Sequence, residues 1–361
     1  MKIAYVTLHH PHTYGAGVGK KILRTMNAWR TAGHGAKLFM HTPHFEPAQE
    51  LIPGEVYRFQ KGKGLRAELD RIRAARDVVT AIRGYAPDII YLRYGIYVFP
   101  VHRLSQIAPV IEELNTNDII EQMTKGAVYG FYNILTRGLV MRRVKGMVAI
   151  SNEMAGDPAF TKYGKPIAII ANGIDLENFQ PFPPPSNKIP RIVFMGSPSP
   201  GQNFHGIDKL IHLGQLCNDI RIDIIGYDRP SNYEIPLNVI FHGYLSKADY
   251  ESLLAAADVG IASLALHRVG LQEGSPLKSR EYLAYGLPAI VPYLDTDLHD
   301  LECDFLLKIP DREDSAETHA QAIRDFAYRM RGRRADRAVF AQHIDIKEKE
   351  RKRLEFFMQF I

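Results

Sequence analysis

The sequence predicts an α/β protein made of two domains, each with a parallel β-sheet covered by helices. Three observations carry this prediction. Short apolar runs typical of strands alternate with longer helical patterns. The 361 residues, 46% of them hydrophobic, suffice for two cores of ordinary size. The alternation stops at the proline-rich run FQPFPPPSNKIP and then resumes, so we interpret this run as the linker between the domains.

The first half shows five strand patterns, at residues 3–8, 37–41, 88–93, 109–114 and 147–150. Between them, LRAELDRIRAARDVVTAIRGY has the three- and four-residue spacing of an amphipathic helix. A further strand is predicted at KPIAIIANGI, and after the linker the strands are RIVFMGS, IRIDIIGY, NVIFHGY, VGIASL and PAIVPY. Parallel sheets of this kind bind ligands at the carboxyl ends of their strands, and we expect a cleft between the two domains.

Composition narrows the class of protein. The two cysteines, Cys217 and Cys303, have no metal-binding spacing and fit a reducing compartment. No signal peptide or membrane-spanning run is recognisable, so we expect a cytoplasmic protein. The net charge of +5 is mild and does not call for nucleic acid as a partner.

The glycine-rich stretch TYGAGVGKK follows the first strand and looks like a phosphate-binding loop. The P-loop spacing fails, because Tyr14 stands at its first glycine and Lys21 at its hydroxyl position. The dinucleotide fingerprint also fails, and the next strand ends without an acidic residue, which disfavours a nicotinamide-dependent oxidoreductase. A glycine turn before a helix remains an anion or close-approach site.

The stretch LQEGSPLKSREYLAYGLPAIV is the most informative part of the chain. Glu273 precedes a turn, Pro276 opens a predicted helix, and Glu281 lies about one turn inside it. The free N–H groups of Leu277 and Lys278 would point at an anion between the carboxylates. On spacing alone, however, two such glutamates are more often a solvated helix face.

Glu273 to Glu281 followed by YLAYGLP resembles the E-x7-E signature of the retaining glycosyltransferases of family 4. The runs ANGIDLENFQP and FHGYLSKADYESLLAAADVGIASL are similar to further motifs of that family, in the same order. The resemblance implies the GT-B fold, with two Rossmann-like, doubly wound domains facing a central cleft. We predict an acceptor-binding domain at residues 1–172, a donor-binding domain at 173–342, and a terminal helix at about 343–361 that packs back on the first domain.

The resemblance also implies roles for residues in the donor site. Glu281 would bind the ribose hydroxyls of a nucleotide-diphosphate sugar, and Glu273 would contact the transferred sugar. The backbone at Leu277 and Lys278, with Ser275 beside it, would hold the diphosphate without a metal ion. The backbone near Tyr244 and Leu245 would contact the base, although Tyr244 fits a core aromatic equally well. Gly17 would let the first domain approach the donor.

The chain departs from the family pattern at two places. Ser197 and His205 stand where family members carry two cations, which leaves the diphosphate short of positive charge. Lys278, or a protonated His205, would supply part of it. Lys20 and Lys21 follow the glycine loop; one of them would help to bind the phosphates, and at least one would be exposed to solvent.

The second departure lies after the fourth strand, where Asn115 takes the place of the family's usual histidine. Asn115 or Glu113 would orient the acceptor, and Asn115 is our candidate for the third catalytic residue. Glu112 and Glu113 should point to opposite sides of their strand, so we expect at most one of them to face the site.

Two acidic or basic segments have alternative interpretations. The run DTDLHD, residues 295–300, resembles a metal-binding pattern but is more typical of a solvated turn. The basic C-terminal helix with Phe356, Phe357 and Phe360 would either lie on an anionic membrane or, as we favour, pack back on the protein.

Together these features predict a retaining hexosyltransferase that moves a sugar from a nucleotide-diphosphate sugar to a saccharide or lipid-linked acceptor, in polysaccharide or glycolipid assembly. No cofactor, metal ion or nucleic acid is expected, and a peripheral contact with the inner face of the membrane is left open. The alternative is a degenerate, non-catalytic family member that binds sugar nucleotides or acts as a scaffold.

Overall fold

The computed structural model describes residues 1–10, 12–13, 17–44, 51–62, 64–198 and 203–361. The chain divides into two compact units. Unit 1 comprises Met1–Ala171 together with Ile346–Ile361, and unit 2 comprises Asn172–Asp345. The chain leaves unit 1 after Ala171, one residue before the predicted boundary at residue 172, and returns to it at Ile346.

Unit 1 contains a seven-stranded sheet in the order β3-β2-β1-β4-β5-β6-β7, and every neighbouring pair is parallel. Its strands are β1 (Lys2–Leu8), β2 (Gly35–Pro43), β3 (Glu55–Phe59), β4 (Ile89–Arg93), β5 (Val110–Leu114), β6 (Gly146–Ala149) and β7 (Ile167–Ile169). Its helices are α1 (Gly17–Thr31), α2 (Leu65–Tyr85), α3 (Asp118–Lys125), α4 (Ala127–Thr136), α5 (Gly138–Met141), α6 (Asn152–Gly156) and α7 (Pro158–Thr161).

Unit 2 repeats the architecture with a six-stranded parallel sheet, in the order β10-β9-β8-β11-β13-β15, and a short pair β12-β14. Its strands are β8 (Arg191–Met195), β9 (Arg221–Ile225), β10 (Val239–Phe241), β11 (Val259–Ile261), β12 (Glu273–Gly274), β13 (Ala289–Val291), β14 (Leu294–Asp295) and β15 (Leu306–Lys308). Its helices are α8 (Ile207–Leu216), α9 (Lys247–Ala256), α10 (Leu277–Ala284), α11 (Ser315–Thr318), α12 (Ala320–Met330) and α13 (Ala338–Ile344), and α14 (Ile346–Met358) follows in unit 1.

The predicted strands are all present, but four strands were not predicted: β12 and β14, of two residues each, and the edge strands β3 and β15. Both edge strands are short and only partly buried, so their sequences lack the continuous apolar run of a central strand. The central strand β1 shows the opposite case. Ala4 and Val6 belong to one apolar cluster and Ile3 and Tyr5 to another, because helices cover both faces of the sheet.

The C-terminal helix α14 packs on unit 1, which is the favoured one of its two interpretations. Phe357 is fully buried and its ring meets those of Trp29 and Tyr91 edge to face or tilted. The Trp29 Nε1 donates to Glu350 Oε2 at 2.8 Å, and Glu350 pairs with Arg353. The aromatic side chains of this helix therefore belong to the core and not to a membrane-facing surface.

The proline-rich run is not the linker that its composition predicted. Phe182 stacks on Tyr285 with ring centroids 4.3 Å apart, and its N–H donates to the Tyr285 carbonyl at 3.0 Å. Prolines prevent a helix or central strand here, but they leave the aromatic side chains free to pack. The run is thus part of unit 2. Within the described ranges, no helix is both long and apolar enough to cross a membrane.

Candidate functional site

The candidate donor site in unit 2 is built around the start of α10. Pro276 occupies the N-cap position in an extended conformation, and the helix runs from Leu277 to Ala284 as predicted. Proline has no side-chain oxygen that could accept a hydrogen bond from the first turn. The first-turn amides of Leu277 and Lys278 therefore lie at the positive end of the helix dipole without a cap from that residue.

A buried arginine fixes this helix in place. Arg280 is fully buried and forms two hydrogen bonds to Asp295, of which that from Nη2 to Oδ1 is 2.8 Å, and a third to Asp297 Oδ2 at 3.0 Å. The interpretation of residues 295–300 as a solvated turn was wrong for Asp295, which is 1% exposed. Both carboxylates neutralise the guanidinium, and no group of three potential metal ligands occurs among the described residues.

The two glutamates of the motif differ in their surroundings. Glu273 lies in β12, opposite Leu294, and is only 4% exposed. Glu281 is half-buried in α10, and its Oε1 accepts a hydrogen bond of 3.1 Å from the Tyr250 hydroxyl. The solvated-face interpretation is therefore wrong for this pair.

Asn172, which was not among the predicted site residues, positions the turn between the two glutamates. Its N–H donates to Ser275 Oγ at 2.8 Å and its Nδ2 donates to the Ser275 carbonyl at 2.7 Å. Its carbonyl in turn accepts from Arg280 Nε at 3.3 Å. The motif ANGIDLENF was the available signal, since Asn172 is its asparagine. The hydroxyl of Ser275, predicted to contact the donor, is engaged in holding the turn.

Lys278 is the cation that the structure places next to the start of α10. Its Nζ lies 3.2 Å from Ser263 Oγ and 4.2 Å from the centroid of the Phe194 ring. Burial lowers its pKa to about 7, because removing water disfavours the charged form. The ammonium is therefore close to its titration midpoint at neutral pH.

His205 and Ser197, the other two residues at the departure from the family pattern, contribute no charge. His205 is 7% exposed and its Nδ1 lies 2.5 Å from the Tyr227 hydroxyl. Burial and the nearby Lys278 lower the pKa of His205 to about 3, which argues against the protonated form. Ser197 is exposed and neutral.

Tyr244 follows β10, and the structure excludes one of its two interpretations. It is 85% exposed, so it is not a core aromatic. Leu245 beside it packs partly against the core of unit 2. An exposed aromatic ring on a loop that is anchored by its neighbour is suited to stacking on a planar group.

In unit 1, the predicted acceptor residues form a charged cluster at the carboxyl end of β5. Lys21 Nζ lies 2.9 Å from Glu113 Oε1 and donates to Asn115 Oδ1 at 2.6 Å. Glu113 Oε2 accepts from the Tyr5 hydroxyl at 2.5 Å and lies 3.5 Å from Arg93. Burial alone would raise the pKa of Glu113, but Lys21 and Arg93 hold it well below its usual range. Glu113 is therefore a permanent carboxylate whose charge is already compensated.

Glu112 differs from its neighbour. Burial and, secondarily, the Asp118 carboxylate raise the pKa of Glu112 well above its usual range, which favours the neutral acid. The two side chains have different partners, as expected for successive strand residues. The expectation that only one borders the site was wrong: both line a cavity of about 280 Å³ together with Asn115 and His12.

Among the residues that the structure describes, three buried polar atoms around this cavity have no hydrogen-bond partner, Glu112 Oε2, His12 Nε2 and Asn115 Nδ2, whereas Glu113 Oε1 has the ion pair with Lys21. Buried polar groups are normally satisfied, because leaving one unpaired costs about 1–3 kcal/mol. The cavity therefore combines acceptor and donor capacity with a neutral acid and a neutral histidine, whose pKa burial lowers to about 3.

The glycine-rich loop is described only in part, since Tyr14, Gly15 and Ala16 lie outside the described residues. Gly17 is the first residue of α1, and a Cβ there would meet nothing within 4 Å. At Gly19, a Cβ would lie 2.0 Å from the Thr13 carbonyl oxygen, so of these two glycines it is Gly19 that another part of the chain approaches closely. Lys20 is exposed and Lys21 is engaged with the acceptor cluster.

Residues 189–325 match the family model described as Glycosyl transferases group 1. A search of curated proteins found no match.

Three solved structures illustrate the structural likeness. Lipopolysaccharide outer core galactosyltransferase WaaB in its apo form superposes with a TM-score of 0.67 at 11% identity, over 99% of this chain and 100% of that one. Sucrose-phosphate synthase from Thermosynechococcus elongatus gives 0.65 at 13% identity, over 99% of each chain. An alpha-glucosyltransferase in complex with UDP and a 13-mer DNA gives 0.63 at 11% identity, over 99% of each chain.

These comparisons confirm the predicted fold. The chain has the GT-B fold of glycosyltransferases, with two Rossmann-like units. The family match, which lies within unit 2, supports sugar transfer as the class of reaction. At sequence identities of 11–13%, the solved structures are evidence for the fold alone.

Proposed function

We propose that the protein is a retaining glycosyltransferase that moves a sugar from a nucleotide-diphosphate sugar to an acceptor hydroxyl. One observation carries the proposal: the buried Glu273 and the half-buried Glu281 lie on either side of a helix start whose N-cap residue, Pro276, has no capping side chain, and Lys278 lies in the first turn of that helix. A helix N-terminus with an adjacent ammonium is suited to a diphosphate, and the carboxylates are suited to hydroxyl groups.

In this proposal, Glu281 accepts hydrogen bonds from the ribose hydroxyls, and the diphosphate lies against the amides of Leu277 and Lys278. The Lys278 ammonium adds the charge that Ser197 and His205 do not supply, so the site works without a metal ion. Tyr244 stacks on or contacts the base. The UDP present in the similar alpha-glucosyltransferase structure supports a nucleoside diphosphate as the donor group.

The transfer itself breaks the bond between the anomeric carbon and the diphosphate oxygen and forms a bond from that carbon to the acceptor oxygen. The acceptor attacks from the face that the leaving group vacates, and its proton passes to the leaving phosphate. Glu273 stabilises the positive charge that develops on the sugar, and the helix N-terminus stabilises the negative charge on the diphosphate. No strong general base is required.

The acceptor binds in the unit 1 cavity, where Asn115 and Glu113 orient the attacking hydroxyl. The three unsatisfied polar atoms of this cavity support a neutral, hydroxyl-bearing ligand such as a saccharide or the saccharide part of a lipid-linked acceptor. The likeness in fold to an outer core galactosyltransferase supports a role in polysaccharide or glycolipid assembly. Both cysteines are free, which supports a location in the cytoplasm.

A panel of nucleotide sugars tests the proposal by calorimetry and by hydrolysis and transfer assays. Glu281→Gln should weaken donor binding about 10- to 150-fold, because a hydrogen bond to a charged group contributes about 1.5–3 kcal/mol. Glu273→Gln should lower the rate of transfer about 10²- to 10³-fold while donor binding stays within a few-fold. Glu302→Gln, on the exposed surface of unit 2, is the matched control and should behave like the wild type.

The same panel separates catalysis from the non-catalytic alternative, which the missing cations favour. A wild-type protein that binds a nucleotide sugar but neither hydrolyses nor transfers it would establish the binding or scaffold role. Full transfer activity in both glutamate variants would refute the proposed site.

A further inference from the structure

Helix α4 in unit 1 has its polar and apolar faces reversed. Its buried positions include Gly130 and the amide side chain of Asn133. Its exposed positions include Val128, Phe131 and Leu135, which are 82%, 62% and 81% exposed. These three residues follow one another at three- and four-residue spacing and therefore form a stripe along one side of the helix.

A buried polar network fixes this orientation. Asn133 Nδ2 donates to Asp118 Oδ2 at 2.7 Å, and Asn133 Oδ1 accepts from the Tyr94 hydroxyl at 3.1 Å. Arg137 donates to both oxygens of Asp118 at 2.7 and 2.8 Å and is itself 1% exposed. Rotating α4 to bury its apolar stripe would break this network. The exposure of the stripe is therefore built into the fold.

Helix α3 extends the apolar surface. Ile120 and Met123 are both exposed, and a Cβ on Gly130 would lie 1.9 Å from the Met123 sulfur, so the two helices pack closely at this glycine. We call this surface the α3–α4 apolar face; it consists of Ile120, Met123, Val128, Phe131, Ile134 and Leu135. Contiguous exposed apolar surface on a protein marks an interaction site.

The charges beside the apolar face indicate what covers it. Residues 119–145 contain five lysines or arginines and one acidic residue. The acidic residue, Glu121, pairs with Lys125 at 2.7 Å, and Arg137 is buried with Asp118. Arg142, Arg143 and Lys145 are exposed. Three exposed basic residues therefore follow the apolar face in the chain, within ten positions of Leu135.

This combination fits an anionic lipid surface better than a second copy of the chain. Apolar side chains insert below the headgroups while lysine and arginine contact the phosphates. In a two-fold dimer through the same face, the basic residues of both copies would be brought toward one another. We propose that the α3–α4 apolar face docks the protein on an anionic membrane surface. This inference goes beyond the proposed function, since docking requires no sugar transfer.

Vesicle flotation of the full chain tests the docking. The probes are vesicles of phosphatidylcholine alone and vesicles that also contain roughly 30 mol% phosphatidylglycerol, an anionic lipid. We expect binding to the anionic vesicles. The double variant Val128→Gln/Leu135→Gln should weaken this binding by about tenfold or more, because two apolar side chains no longer insert.

Leu65→Gln/Leu237→Gln is the matched control, because these leucines are 75% and 98% exposed but lie outside the face. It should bind like the wild type. Arg142→Gln/Arg143→Gln should weaken binding to anionic vesicles about 30-fold, since each basic residue near such a surface contributes about 1 kcal/mol. Circular dichroism and melting temperatures establish that all variants are folded.

Three outcomes would overturn the inference. Wild-type protein that binds neither vesicle would do so, and so would equal losses in the Val128/Leu135 and control variants. The third outcome is a wild-type protein that binds no vesicles but forms a concentration-dependent dimer in sedimentation, while the Val128→Gln/Leu135→Gln variant stays monomeric. This outcome would assign the face to a second copy of the chain. Sugar-transfer activity plays no part in these readouts.

Discussion

Replacing Asp295 by asparagine removes the principal partner of a fully buried guanidinium. Arg280 has no exposed surface and Asp295 is 1% exposed, so water cannot take over the lost interaction. Breaking a buried ion pair by removing one partner costs about 3–5 kcal/mol. Because Asp297 still lies 3.0 Å from Arg280 Nη2, we expect the lower end, about 3 kcal/mol.

Thermal and denaturant unfolding measure this effect. For a unit of this size, 1 kcal/mol shifts Tm by about 2–4 °C, so the unfolding of unit 2 should move down by roughly 6–12 °C. The variant should also bind nucleotide sugars more weakly, because Arg280 holds the helix that carries Lys278 and Glu281.

Asp300→Asn is the matched control in the same loop. Asp300 is 91% exposed and its partner His299 is on the surface, and exposed ion pairs contribute at most about 1 kcal/mol. Its Tm should stay within about 4 °C of the wild type. A Tm of Asp295→Asn equal to that of this control would refute the conclusion that the buried pair anchors α10.

Three further predictions concern single side chains. Lys278→Ala should weaken donor binding about tenfold. In the wild type, the affinity for the donor should fall as the pH rises through about 7, because the Lys278 ammonium loses its proton, and the variant should lack this pH dependence. Calorimetry at several pH values measures both effects. Gly19→Ala should destabilise unit 1 by about 1–3 kcal/mol, because its Cβ would strike the Thr13 carbonyl. Gly17→Ala, with open space around it, should leave Tm unchanged and lower only the rate of sugar transfer. Equal Tm values for the Gly17 and Gly19 variants would contradict the assignment of Gly19 as the glycine that the Thr13 carbonyl approaches. Because the folded state raises the pKa of Glu112, wild-type stability should fall as pH rises above about 4.5, and urea titrations should show a shallower fall for Glu112→Gln.

The candidate donor site could be predicted from sequence because its parts are neighbours in the chain. Glu273, Pro276, Lys278 and Glu281 lie within one turn and one helix, and local rules fix where such a helix begins. The charge of the site could not be found in this way. Whether Lys278 is an ordinary lysine or one with a pKa of about 7 depends on burial beside Phe194, which comes from another strand.

The acceptor cluster shows the same limit more strongly. Asn115 was predicted because it takes the place of a histidine in the family that the sequence resembles, and Glu113 because it lies nearby, but Lys21 was not assigned to them. It reaches Asn115 from 94 positions away, and no pattern within either segment specifies that contact. The same holds for the proline-rich run, whose composition indicated a linker although Phe182 stacks on Tyr285.

By itself, the sequence determined the alternation of strands and helices and the position of the E-x7-E helix, because these depend on periodicity and on short motifs. The GT-B fold was predicted from the resemblance of those motifs to a glycosyltransferase family. The tertiary structure alone decided that Arg280 is buried between two aspartates, that Glu112 is neutral while Glu113 is ionised, and that α4 turns its apolar side outward. The physical reason is that burial and long-range partners set the free energy of each polar group, and both are fixed only when distant segments pack together.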